Sequence, residues 1–111
     1  MSAGDWKSLY QAAVEGDLAL VTHHLADGVN PNYQHPEILR TPLVASLIEG
    51  HLAVASYLLA KGADPALVSE LDNLSPLQAA QRHGHLEFAA RLKEMGVKDR
   101  KTPFWWRWLP I

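Results

Sequence analysis

The stretch TPLVASLIEGHLAVASYLLAKGADPA, residues 41–66, decides how the whole chain folds. It reads as two short antiparallel helices followed by an extended turn. Thr41 can cap the first helix with its hydroxyl, and Pro42 brings the φ that a first helical position needs. Leu43, Ser46 and Leu47 give that helix one narrow packed side. Gly50 permits the left-handed backbone that stops it within a tight turn. Leu52, Ala55, Leu58 and Leu59 then recur at helical spacing until Gly62 ends the second helix. One such unit cannot cover its own apolar side, so it needs neighbours.

The neighbours appear as a repeat. Glycines at 16, 50 and 84 and at 28, 62 and 96 each step by 34 residues. Leu9, Leu43 and Leu77 keep the same step, as do Leu18, Leu52 and Leu86, the small residues Ala12, Ser46 and Ala80, and the pair His51 and His85. Several residue types holding one phase, at a period between about 20 and 50 residues, signal a stacked array.

The units resemble the ankyrin repeats. That family's pattern T-P-L-H-x-A, a Gly-His between two helices, then leucines and Gly-Ala-Asp-Pro, stands here as TPLVAS, GHL, YLL and GADP. It returns as SPLQAA and GHL, closed by Gly96-Val97, while the first unit keeps LYQAAVEGDL and HHLADGVNPN. The resemblance runs from about Trp6 to Val97. It implies an all-α ankyrin-repeat solenoid of helix-turn-helix units with hairpin loops, capped at both ends. Two departures stand out. The histidine after T-P-L, which hydrogen-bonds between repeats in the family, is replaced by Val44 and Gln78, so this stack should lean more on apolar contact. The spacing from Gly28 to Thr41 and from Gly62 to Ser75 is one residue longer than in the common repeat, and the extra residue should sit in the hairpin.

The 111 residues suit one domain: three repeats at about 5–32, 41–66 and 75–97 within residues 1–97, followed by a basic, Trp-rich segment 98–111. With no cysteine there is neither a disulfide framework nor a thiolate metal site. The opening MSAGDWK lacks the pattern of a secretory signal, and no stretch reaches membrane-spanning length, so a soluble, cytoplasmic protein is expected. Residues 1–97 hold six Lys/Arg against eleven Asp/Glu, a balance of −5, whereas 98–111 hold four against one, a balance of +3. An acidic repeat body speaks against nucleic acid as the partner.

Along the chain, Asp5 suits the N-cap of a first helix reaching about Glu15, with Trp6, Leu9, Ala12 and Ala13 on one side. Leu18 to Ala26 makes its companion, and Asn30-Pro31-Asn32 and His35-Pro36 punctuate the first long loop. The second loop, 67–74, is unusually apolar. Its leucines either pack back onto the helices or, at Leu71 or Leu74, offer apolar area to a partner.

Histidines 23, 24, 51, 83 and 85 raise the question of metal. His51 and His85 sit a whole repeat apart at the Gly-His turn position, and His83 and His85 straddle Gly84, so no shared ion, and no cofactor, is expected. Nor do the serines, histidines and carboxylates form a nucleophile–base–orienter pattern. Glu15 and Glu49 lie side by side in successive units, but exposed carboxylates have no reason for shifted pKa values. A non-catalytic protein is expected.

In ankyrin proteins the binding surface is usually the concave side, built from hairpin tips and the exposed side of each first helix. Carried over by position, this implies Val14, Glu15, Ile48, Glu49, Arg82 and His83 from the helices. Glu37, Ile38, Arg40, Leu71, Asp72 and Leu74 follow from the hairpins. An apolar centre beside carboxylates suits a protein-binding patch with a polar rim. The expected function is a protein–protein interaction module, adaptor or inhibitor, monomeric, with another protein as partner. The alternative is membrane association through the cationic tail, because KTPFWWRWLPI places Trp105, Trp106 and Trp108 within four positions. That segment also reads as an early fourth unit, Thr102-Pro103-Phe104, folding as a cap over the third repeat, or as a partner or self-association patch.

Overall fold

The computed structural model describes residues 6–71 and 73–97, so Asp5, Asp72 and the Trp-rich segment lie outside the described residues. Among these there are six helices: α1 (Trp6–Glu15), α2 (Leu18–Ala26), α3 (Pro42–Ile48), α4 (Leu52–Ala60), α5 (Pro76–Arg82) and α6 (Leu86–Glu94). They pair as α1 with α2, α3 with α4 and α5 with α6, and the pairs stack in chain order, α1 on α3 on α5. The architecture is an all-α helical repeat, with one isolated antiparallel bridge, Ser69 to Leu74, in the second hairpin.

Side-chain caps set the starts of α3 and α5. Thr41 accepts a hydrogen bond from the Val44 amide at 3.1 Å, with Pro42 in the first turn, as the sequence implied. At α5 the same step is reinforced. Ser75 accepts from the Gln78 amide while the Gln78 side chain accepts from the Ser75 amide, both at 3.1 Å. Gln78, which looked like the loss of an inter-repeat histidine, thus completes a capping box.

The middle unit departs from the narrow packed side expected of α3. Every residue from Thr41 to Leu47 is buried, because α1 covers one flank and α5 the other. Leu9, Leu43 and Leu77 form the shared spine, and Val21, Ala55, Leu58, Ala89 and Leu92 pack on it from the second helices. Val54 and Phe88 are buried too, while Leu52 and Leu59 are only partly covered. The two ends of the stack are chemically distinct from its middle. Ala13 and Leu47 are buried where a next unit follows, but their successor Gln81 is exposed. Gln11 likewise stands exposed where Ala45 and Ala79 face a preceding unit. Polar residues at the end faces are what an array of few repeats requires.

The reduced role expected for polar contact between repeats is corrected by the hairpins. Asn32 donates to the Gly62 carbonyl at 3.1 Å and accepts from the Asp64 amide at 2.7 Å. Gln34 does the same two residues on, donating to the Val68 carbonyl at 2.9 Å and accepting from the Glu70 amide at 3.1 Å. The buried Ser69 hydroxyl accepts from the Thr41 amide at 3.1 Å, tying the second hairpin to the start of α3. Each amide side chain so satisfies one donor and one acceptor of a backbone that has no sheet to pair with. Gln34→Ala is expected to lower stability by about 1–3 kcal/mol, because two backbone groups lose their partners; urea denaturation reads it. The hairpins span the longer spacing between the repeats. Leu39 (φ 56°) and Asn73 (φ 55°), one repeat apart, both take the left-handed conformation there.

Candidate partner-binding surface

The residues implied as a binding face fall on two edges of the helix layer. Glu37, Ile38, Arg40 and Leu71 lie on the hairpin edge, before the first helices begin. Val14, Glu15, Ile48, Glu49, Arg82 and His83 lie at the other end of those helices. The seven residues of α3 put about 10 Å between the two groups, at 1.5 Å per residue.

On the hairpin edge the two candidate leucines part company. Leu71 is 57% exposed, whereas Leu74 is 5% exposed and belongs to the core. The expectation that Leu74 faces a partner is therefore corrected. The Leu74 carbonyl accepts from the Ser69 amide at 2.8 Å, closing the hairpin and turning the side chain down onto the helices. Leu71 is held by its backbone, its amide donating to the Leu39 carbonyl of the first hairpin at 2.7 Å. An exposed leucine on a backbone fixed in this way loses little freedom on binding. Glu37 is exposed and Ile38 and Arg40 are half-buried. Asp72 lies outside the described residues.

At the helix ends, Glu15, Glu49, Arg82 and His83 are exposed and Val14 is half-buried. Ile48 is half-buried against the core, and Glu15 accepts a hydrogen bond from Gln11 at 2.8 Å. From α1 to α5 this edge changes from Val-Glu and Ile-Glu to Arg-His, so its acidity is confined to the first two units.

Sequence reading missed an aromatic group beside the hairpin. Trp6 stacks on His35 with ring centres 4.2 Å apart and planes 9° apart, and Tyr33 leans on both at 6.0 and 6.1 Å. The His35 Nδ1 also accepts from the Glu37 amide at 3.1 Å, which fixes the ring. No periodic signal could have found it. The positions matching Trp6 one and two repeats later are Arg40 and Leu74.

Between the two edges the Gly-His positions lock unit to unit. The His51 ring lies against Gly16, and the His85 ring reaches Gly50 while its Nε2 donates to the Leu47 carbonyl at 3.1 Å. This lateral contact, the stacked helix pairs and the hairpins coincide with a sequence-profile match to the family described as ankyrin repeats (3 copies), over residues 9–102. The chain belongs to the ankyrin-repeat family. Ankyrin repeats are generally protein–protein interaction modules and are typically non-catalytic. Among curated proteins no significant match to the chain was found.

Among the described residues no group of three or more His, Cys, Asp or Glu is arranged to hold a metal ion, and no helix is long and apolar enough to cross a membrane.

Proposed function

We propose that this ankyrin stack, residues 1–97, is a non-catalytic module that binds a partner protein chiefly through its hairpin edge. It would act in the cytoplasm as an adaptor or as an inhibitor covering a partner's site. The observation that carries the reading is Leu71, a large exposed leucine on a hairpin locked to its neighbour. Around it stand Ile38, Glu37 and Arg40, and the Trp6–His35–Tyr33 group lies on the same edge. An exposed leucine beside half-buried aromatic and aliphatic side chains, rimmed by charges, matches the composition of interface centres. Val14, Glu15, Ile48 and Glu49 supply a second, acidic contact strip farther along the concave side.

The test begins with affinity capture from the native cell and identification of what binds. Leu71→Arg is then expected to weaken the captured partner by about 2 kcal/mol or more, the scale of a central anchor. Ala53→Arg, an exposed change on α4, should leave affinity unchanged while matching it in charge. Calorimetry with both variants reads the difference. Equal affinity of a folded Leu71→Arg variant and the unaltered chain would move the site off the hairpin edge.

A further inference from the structure

The outward side of the first unit carries a groove of about 590 Å³, whose lining includes Lys7, Gln11 and Glu15 of α1 and Leu20 and His24 of α2. One repeat on, the places of Gln11, Leu20 and His24 are taken by Ala45, Val54 and Leu58, and two repeats on by Ala79, Phe88 and Leu92, all of them buried. The groove is therefore the face that a preceding unit covers elsewhere in the stack. Its conversion to a polar end is incomplete, because Leu20 keeps an apolar side chain that is 44% exposed. The polar residues that replace the others stand in a definite order. Lys7, Gln11 and Glu15 follow at four-residue steps and share one side of α1, a cation and a carboxylate about 12 Å apart with an amide midway.

Such a row is complementary to itself reversed. A two-fold axis through Gln11 sets each Lys7 against Glu15 of the other copy, and Gln11 against Gln11, whose amide can both donate and accept. A parallel pairing would instead set like charge on like. We propose that a second copy of this chain packs on this face, α1 against α1 in the antiparallel sense, with the two Leu20 side chains closed into the contact. Lys7 is free to take part, since it has no ion-pair partner among the described residues. The carboxylates at the two ends of α2 do not line the groove and are already engaged. Asp17 accepts from the Leu20 amide at 3.1 Å, and Asp27 lies 3.5 Å from Nε2 of His23. A face two short helices wide gives a contact at the small, weak end of specific interfaces, below about 1,200 Å² in total. Its charge pairs are screened by salt. The reversal turns the two hairpin edges to opposite sides of the dimer and leaves both open.

Sedimentation velocity of the full chain at low salt, over rising protein concentration, tests the contact. The unaltered chain is expected to shift from monomer to dimer and to shift back as salt is added. Lys7→Glu and Glu15→Lys should each stay monomeric, because either change sets like charges face to face twice across the axis. An equal mixture of the two variants should dimerise again, since every reversed charge then meets its opposite in the other chain. The chain carrying both exchanges keeps its net charge and should dimerise as the unaltered one does. Both positions are exposed, so far-ultraviolet circular dichroism should be the same for all forms. An unaltered chain that remains monomeric throughout would overturn the proposal. Association that persists in both single variants would overturn it too, placing the contact elsewhere on the chain. So would single variants that stay monomeric when mixed, which would deny the antiparallel register.

Discussion

Leu58→Ala is expected to lower the stability of the stack by about 2–5 kcal/mol, a large share of the roughly 5–15 kcal/mol typical of a whole domain. The reason is its place rather than its type. Leu58 is fully buried in the second helix of the middle unit, packed with the spine residues Leu9, Leu43 and Leu77 in one continuous core. A solenoid cannot refill such a gap from a distant part of the chain, since each unit touches only its neighbours. Urea denaturation should show a clearly lower midpoint with little change in slope. Glu49→Ala, by contrast, removes an exposed carboxylate and should stay within about 0.5 kcal/mol. Equal sensitivity of the two positions would mean that the helix faces are assigned wrongly.

The second large effect separates two glycines that the repeat makes look alike. Gly16 and Gly50 have nearly the same backbone, φ +77° and +81°. An alanine at either forces a Cβ into left-handed geometry, at about 1–2 kcal/mol. Only at Gly16 does the added methyl also meet its neighbour, 2.5 Å from Nδ1 and 2.7 Å from Cγ of His51. At Gly50 the nearest atom, Cε1 of His85, is 3.8 Å away, an ordinary contact. Gly16→Ala should therefore cost about 1–3 kcal/mol more than Gly50→Ala, the scale of an overpacked site. In the double variant Gly16→Ala, His51→Ala, the alanine should cost only the backbone part, measured by a double-mutant cycle. An additive double variant would deny the contact between the first and second units.

How much of this was legible in the chain follows from what a period can and cannot carry. The 34-residue step placed all six helices and their glycine stops, because each turn imposes the same backbone demand on the same position. The cap at Thr41 was legible for the same local reason. What escaped was set between units. The loop 67–74 mixes leucines with polar residues without alternation, and only the closure of Ser69 on Leu74 decides that Leu74 goes inward while Leu71 stays out. Asn32 and Gln34 are followed a repeat later by Ala66 and Val68, so their clamps on the second hairpin left no periodic trace. Leu18, Leu52 and Leu86 show the converse: they keep the period as faithfully as the core leucines, yet they line an edge. Periodicity reports equivalent places, and burial depends on which places have a neighbour.

The candidate binding residues were likewise assigned by position. Position alone grouped the ends of the first helices with the hairpin tips as one concave face. The length of α3 places them on two edges, and only the hairpin edge gathers a rigid exposed leucine and an aromatic stack. Hydrogen exchange on the full chain with its captured partner, read peptide by peptide, tests this most directly. Partner binding should slow exchange in the hairpin peptides that carry Ile38 and Leu71, leaving the outer helices α2, α4 and α6 unchanged. Protection confined to those outer helices, with both hairpins exchanging as in the free chain, would contradict the assignment of the hairpin edge as the binding surface.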